Sequence, residues 1–111
     1  KLKRGWSPEQ VDAMIQKIGQ VNDRNPVVTS VDQEARNPNP RRLYEALFGK
    51  GSAAGQDVDH ILDLRLGGQN TPENLQLLDP SVNRSFGAQI SNEIRRLGLG
   101  EGTEVSVSLV R

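Results

Sequence analysis

Apolar residues recur at three- and four-residue intervals in three stretches of the chain, and this spacing is typical of helices with one buried face. The first stretch follows Ser7 and Pro8, which suit a helix cap and a first turn, and it ends at Gly19. The second stretch covers residues 41–48 and stops at Gly49. We expect the first helix to pack on the outside of the hairpin predicted below; a helix that binds a partner is the alternative.

A longer helix is predicted to begin at Asp79 and Pro80, because an aspartate cap followed by proline marks a helix start. It should end at the glycines at 98 and 100. One face of this helix carries an apolar stripe, formed by Val82, Phe86, Ile90, Ile94 and Leu97. Residues 75–78, directly before the helix, are predicted to form a short strand.

Two further strands are predicted from the pattern. Residues 57–60 precede a turn with paired glycines at 67–68, which permit backbone angles that other residues resist, so this strand should fold back on residues 75–78. Residues 104–110 alternate between polar and apolar side chains and should add a strand to the edge of the sheet. Residues 22–40 contain prolines and asparagines that break long elements, and we expect a loop with one short strand there.

The one histidine of the chain, His60, stands at the end of the first predicted strand, directly after Asp59. A carboxylate is a hard oxygen ligand of the kind that a magnesium-like ion accepts, and an imidazole can take a proton from water near neutral pH. Two asparagines follow, Asn74 in the hairpin loop and Asn83 in the first turn of the long helix. An Asp-His pair alone is more often structural than functional, so the hypothesis of a site depends on this spacing.

The order of hairpin, loop and helix, with these polar residues in place, resembles the HNH endonuclease family, also called His-Me finger or ββα-metal nucleases. Residues 59–68 and 81–90 are also similar to the C-terminal nuclease modules of bacterial polymorphic toxins, including Rhs-type effectors. The resemblance implies an α+β fold with a small ββα-metal core at 57–97. Additional N-terminal helices and loops at 1–56 would pack on this core, and residues 98–111 would add a C-terminal strand within the same single domain.

The resemblance also assigns roles to the polar residues. In that family the strand histidine is the general base, the carboxylate before it binds the ion, the loop asparagine braces the hairpin and a helix residue supplies a second ligand. His60 would therefore be the base, Asp59 and Asn83 the metal ligands and Asn74 the brace. A histidine is usual where Asn83 stands, so the chain is an H-N-N variant, and an ordinary polar residue near a helix start is the alternative for Asn83. A carbonyl oxygen suits Mg²⁺ or Mn²⁺, so we expect one such ion and regard Zn²⁺ or Ni²⁺ dependence as disfavoured.

Two arginines are candidates for binding the substrate. Arg84 follows Asn83, and Arg65 lies just past the predicted catalytic strand, so either is placed to clamp a non-scissile phosphate. Solvated surface charges are the alternative for both. Asp63 is a candidate to reach the ion or to orient the imidazole, with an ordinary strand-end charge as its alternative. Gly87, one turn after Asn83, would let a nucleic-acid backbone come close.

Length and composition agree with one small domain. The chain has 111 residues, of which 34% are hydrophobic, together with 11 glycines and 6 prolines, so we expect a modest core and much irregular structure. No apolar run approaches a membrane span and no signal-peptide pattern is present. The absence of cysteine excludes disulfides and cysteine-rich zinc sites. A formal net charge of zero argues against a protein that holds DNA by overall charge.

We therefore expect a divalent-metal-dependent endonuclease that hydrolyses the phosphodiester bonds of DNA rather than RNA. The resemblance further implies a secreted toxic effector module that acts in the cytoplasm of a target bacterial cell and a cognate immunity protein that neutralises it in the producer. The chain begins without methionine, and we expect it to be a fragment of a larger protein. The alternatives are a non-catalytic nucleic-acid or protein-binding module that keeps the ββα shape, an RNase, or a site-specific nuclease of restriction or homing type.

Overall fold

A β-hairpin and the helix that follows it carry the candidate residues, and two further helices precede the hairpin in the chain. The computed structural model describes residues 2–32, 35 and 37–109. In chain order its helices and strands are α1 (Pro8–Asp23), α2 (Pro40–Phe48), β1 (Asp57–His60), β2 (Leu75–Leu78) and α3 (Pro80–Leu97). The expected α+β class is confirmed, and within the described residues the sheet has two strands.

The helices begin where the capping residues predicted. Ser7 accepts a hydrogen bond from the Gln10 backbone, and the Gln10 side chain accepts one from the Ser7 backbone, which closes a capping box at the start of α1. Helix α1 does not end at Gly19 but continues to Asp23, because Val21 is fully buried and the extra turn is held by core packing.

Helix α3 starts at an aspartate cap and ends at a glycine, as expected. The carboxylate of Asp79 accepts a hydrogen bond from the backbone of Val82, 3.1 Å away. Gly98 closes the helix with a φ of 63°, a left-handed conformation that glycine adopts without strain.

Strands β1 and β2 pair antiparallel, with Asp57 opposite Leu78 and His60 opposite Leu75. The connection between them contains two short 3₁₀ turns, Leu64–Leu66 and Pro72–Asn74. The hairpin therefore ends in a long structured loop that starts directly after His60.

The core lies between α1, α3 and one face of the hairpin. Its buried members come from all three elements and from the loop, namely Met14, Val21, Leu62, Leu66, Leu78, Val82 and Phe86. Helix α2 contributes no fully buried residue and packs against β1 and the second 3₁₀ turn. Among the described residues, no helix combines the length and the hydrophobicity that crossing a membrane requires.

The C-terminal segment differs from the strand expected at 104–110. It forms a single bridge pair between Val27 and Glu104, away from the β1–β2 hairpin. The side chain of Asn22 donates to the carbonyl oxygen of Val107 and accepts from its backbone N–H, at 2.8 Å each. This side chain therefore replaces the strand partner that the backbone of Val107 would otherwise need. Residue 110 lies outside the described residues.

Candidate functional site

His60 lines a cavity of about 380 Å³ at the place where β1, the first 3₁₀ turn and α3 meet. This cavity brings together five of the six residues that the sequence singled out: Asp59, His60, Arg65, Asn83 and Arg84. Gly87 also lines it, one helical turn from Asn83, and the space around its Cα is open. Asn74, the sixth residue, lies in the hairpin loop outside this lining.

The imidazole of His60 is buried and held at one nitrogen. Its Nε2 lies 2.9 Å from Oδ1 of Asn70, and the Nδ2 of Asn70 donates to the carbonyl oxygen of Pro38 at 2.8 Å. Because the oxygen of Asn70 faces the ring, the hydrogen of a neutral imidazole belongs on Nε2. The other nitrogen, Nδ1, then has a free lone pair, and no described residue hydrogen-bonds to it.

Asn74 holds the hairpin loop in place with its side chain. Its Oδ1 accepts from the backbone of Leu62 at 2.9 Å, and its Nδ2 donates to the carbonyls of Leu62 at 2.9 Å and Gln69 at 2.8 Å. Both ends of one side-chain amide are therefore used to fix the backbone that follows His60. These contacts are what the proposed bracing role requires.

The paired glycines of the loop are needed for two different reasons. Gly67 has a φ of 98°, in the region that favours glycine. At Gly68 a Cβ would overlap the carbonyl oxygen of Leu62 and would lie 2.9 Å from Nδ2 of Asn74. The close approach of the loop to Asn74 thus depends on the missing side chain of Gly68.

Lys17 of α1 is one of the residues near the site that sequence analysis missed, together with Asn70. Its ammonium is fully buried and contacts both carboxylate oxygens of Asp59, at 3.2 and 3.0 Å, and Oδ1 of Asp63 at 2.9 Å. It also donates to the carbonyls of His60 at 2.6 Å and Ile61 at 3.0 Å. The spacing contained a signal, because Lys17 lies three residues after Met14 and four before Val21 and so occupies the buried face of α1.

Asp59 is therefore an ion-pair partner inside the protein. Its Oδ2 also accepts a hydrogen bond from Gln76 at 2.9 Å. Burial raises the pKa of Asp59 above its ordinary value and the charge of Asp63 adds to this rise, while Lys17 and Gln76 oppose it. Of the two roles predicted for Asp63, orienting the imidazole has no supporting contact among the described residues, since the ring bonds to Asn70 and Oδ1 of Asp63 binds the Lys17 ammonium.

The carboxylate that contacts Asn83 is Asp57, whose Oδ2 accepts from Asn83 Nδ2 at 2.8 Å. Arg84 binds the same carboxylate with two nitrogens, at 3.2 Å each. Partial burial raises the pKa of Asp57, but the bonds from Asn83 and Arg84 and the charges of Arg84 and Arg41 outweigh burial, so this pKa lies below its ordinary value.

The oxygen donors fit a magnesium-like ion in kind. Asn83 Oδ1 receives no hydrogen bond from any described residue, and Asp59 and Asn83 both line the cavity. Mg²⁺ commonly uses one or two protein oxygens and completes its shell with water and substrate phosphates. Within the described residues, no group of three or more His, Cys, Asp or Glu side chains is arranged to hold a metal.

The two arginines differ in their surroundings. Arg84 is exposed, yet its guanidinium is bound to Asp57. Arg65 is exposed, and no described residue forms a hydrogen bond or ion pair with its guanidinium. Both arginines line the cavity that contains His60. The charge of Arg65 is unpaired among the described residues, whereas the guanidinium of Arg84 is oriented by Asp57.

Comparisons with protein-family models, with curated proteins and with solved structures gave no match.

Proposed function

We propose that this protein is a divalent-metal-dependent endonuclease of the HNH type that hydrolyses phosphodiester bonds of DNA. The observation that carries the proposal is that His60, Asn83 and Arg65 line one cavity, while Nδ1 of His60, Oδ1 of Asn83 and the guanidinium of Arg65 have no hydrogen-bond partner among the described residues. A base, an oxygen ligand and a cation around one opening are the groups that phosphodiester hydrolysis uses.

In the proposed reaction, Nδ1 of His60 takes a proton from a water molecule in the cavity while that water attacks phosphorus. The bond from phosphorus to the leaving 3′-oxygen breaks, and that oxygen takes a proton from solvent. The proton of the attacking water then resides on Nδ1, and the imidazolium is held through its Nε2 hydrogen by Asn70. The positive charge that develops lies on a side chain that is buried in the free protein.

Arg65 and Arg84 would bind non-scissile phosphates on either side of the reacting one. Asp57 occupies Nε and Nη2 of Arg84, which leaves the outer side of this guanidinium, with Nη1, for a phosphate oxygen. Arg65 has no such partner among the described residues and is free to follow the substrate. Gly87 leaves room for the sugar-phosphate chain between them.

One Mg²⁺ or Mn²⁺ is the proposed cofactor, with Asp59 and Asn83 as the residues that would hold it. When bound, such an ion stabilises negative charge on the phosphate and on the leaving oxygen. Each carboxylate oxygen has more than one lone pair, so Asp59 retains acceptor capacity beside Lys17.

The biological setting follows from the resemblance of residues 59–68 and 81–90 to polymorphic toxin modules. We propose a toxic effector domain of the Rhs type that is secreted and reaches the cytoplasm of a target bacterial cell. Its producer would be protected by a cognate immunity protein. DNA is the proposed substrate ahead of RNA.

One observation favours a second candidate, a binding module that keeps the ββα shape without chemistry. The Lys17 ammonium already neutralises Asp59, which is what a hairpin that no longer binds a metal would need. Such a module would retain DNA in a gel-shift assay and leave it uncut.

The deciding experiment incubates purified protein with supercoiled plasmid in Mg²⁺ or Mn²⁺, with and without chelator, and with tRNA as the competing substrate class. We expect plasmid nicking that stops with chelator and falls about 10²- to 10⁴-fold in His60→Ala, the range for loss of a positioned general base. Arg95→Ala, an exposed change in the last turn of α3, serves as the matched control. Plasmid that is shifted and never cut would overturn the proposal, and preferential cleavage of tRNA would assign an RNase.

A further inference from the structure

We infer that Asn70 is a positioning residue, which fixes the tautomer and the orientation of His60 so that Nδ1 is the proton acceptor. The bond between His60 Nε2 and Asn70 Oδ1 is 2.9 Å long. His60 is 8% exposed, so its ring has little water available to replace this partner. This inference rests on the proposed function for what the proton acceptor does.

The orientation of the Asn70 amide is set by its other contact. Nδ2 lies 2.8 Å from the carbonyl oxygen of Pro38, which can only accept. Rotation of the amide by half a turn would place two oxygens against each other there and would put an N–H donor against the ring. The Pro38 carbonyl therefore requires the oxygen of Asn70 to face His60, and that oxygen requires a hydrogen on Nε2.

The position of the Pro38 carbonyl is fixed by the hydrogen bonds at the start of α2. Asn39, the next residue, caps α2 by accepting from the Arg41 backbone at 2.9 Å. The guanidinium of Arg41 donates to the carbonyls of Ala53 at 3.2 Å and Gln56 at 2.6 Å, just before β1. Hydrogen bonds, together with the peptide bond between Pro38 and Asn39, therefore connect the residues just before β1, through the start of α2 and Asn70, to the imidazole at the end of β1.

The sequence offers an unusually clean test, because His60 is the only histidine in the chain. Protein labelled with ¹⁵N-histidine gives one imidazole signal set, whose nitrogen shifts at alkaline pH distinguish an Nε2–H ring from an Nδ1–H ring. We expect the wild-type chain to show Nε2–H. Plasmid cleavage, resolved into kcat and KM, is measured on the same samples.

Two variants separate positioning from a merely structural role. Asn70→Leu removes both bonds, and we expect a measurable Nδ1–H population and a fall in kcat of about 10- to 100-fold, with KM changed less than about twofold. Asn70→Asp keeps an oxygen against Nε2 but loses the donor to the Pro38 carbonyl, so we expect it to retain the Nε2–H ring and to lose less kcat than Asn70→Leu. Gln69→Ala is the matched control, because that exposed neighbour contributes only its backbone carbonyl to the loop.

The inference is overturned by an Nδ1–H ring in the wild-type chain, or by a folded Asn70→Leu protein with wild-type kcat. Equal losses in Asn70→Leu and Asn70→Asp without a change of tautomer would also overturn it. If Asn70→Leu does not fold, the wild-type ring and the Asn70→Asp protein decide the question by the same criteria. Failure of the proposed function has a different signature, namely a wild-type protein with an Nε2–H ring that cuts no nucleic acid.

Discussion

The ammonium of Lys17 lies 3.0 Å from Oδ2 of Asp59, and both side chains are buried. The pair joins α1 to β1 across a separation of 42 residues. Because the ammonium also donates to the carbonyls of His60 and Ile61, it fixes the point where the strand turns into the loop. One cation therefore secures the backbone beneath the candidate base.

Replacing Lys17 with methionine should destabilise the protein by about 3–5 kcal/mol, because the change leaves the Asp59 carboxylate buried without a counter-charge. Urea denaturation followed by circular dichroism measures this free energy of unfolding. The matched control is Lys50→Met at an exposed position, where we expect a change within about 0.5 kcal/mol. Adding Asp59→Asn to Lys17→Met should recover part of the loss, and strictly additive effects would contradict the pairing.

Replacing Asn74 with alanine should lower the free energy of unfolding by about 2–4 kcal/mol, since three hydrogen bonds of about 1 kcal/mol each are lost. Gly68→Ala should have a comparable effect, because its Cβ would displace the Leu62 carbonyl and the Asn74 amide. Chemical denaturation reports both values. Gly100→Ala is a suitable control, since a Cβ there meets open space, and an Asn74→Ala protein as stable as wild type would refute the bracing role.

The bond network at Asp57 should make a pH-dependent contribution to stability. The pKa of Asp57 is lowered in the folded protein, so the unfolded state takes up a proton first as pH falls. The contribution of Asp57 to stability is present above about pH 4 and is lost as pH drops through the folded pKa. Because Arg84 is largely exposed, we expect Asp57→Asn to cost only about 0.5–1 kcal/mol at pH 7. Denaturation series in chelator between pH 7 and pH 3 should show this difference shrinking, and a difference that grows on acidification would contradict the assignment.

Removing the guanidinium of Arg65 should weaken substrate binding without harming the fold. We expect Arg65→Ala to raise KM about three- to tenfold with kcat little changed, because a phosphate contact shared by ground state and transition state is lost. The salt dependence of DNA binding should fall by about one unit of slope. Stability should stay within about 0.5 kcal/mol of wild type, and the Arg95→Ala protein supplies the comparison for both measurements. An unchanged KM and salt slope would remove Arg65 from the binding surface.

Local signals in the sequence predicted the helices and the hairpin well. Ser7 with Pro8 and Asp79 with Pro80 marked the starts of α1 and α3, because capping involves only neighbouring residues. The end of α1 was misplaced at Gly19, since burial of Val21 depends on α3 and the loop, which no local pattern contains.

The sequence predicted which residues line the cavity better than it predicted their contacts. The spacing brought His60, Asn83 and Arg84 to one cavity, as expected from a hairpin followed by a helix. The partners of Asp59 and Asn83 were not foreseen, because Lys17 is distant along the chain and Asp57 carried no signal that separated it from a strand-end charge. Asn70 was passed over because an asparagine after two glycines is common in turns.

The fully enclosed ammonium of Lys17 makes the candidate motif at residues 57–97 dependent on a helix that lies outside it. A polypeptide cut down to residues 57–97 would retain every side chain of the H-N-N pattern and would still lack the positive charge that its two inward-facing aspartates require. Such a minimal peptide would have to admit water to hydrate these two carboxylates, or it would remain unfolded. Grafting the hairpin and its following helix into another scaffold therefore requires that α1 is included, or that the host protein supplies an equivalent buried cation.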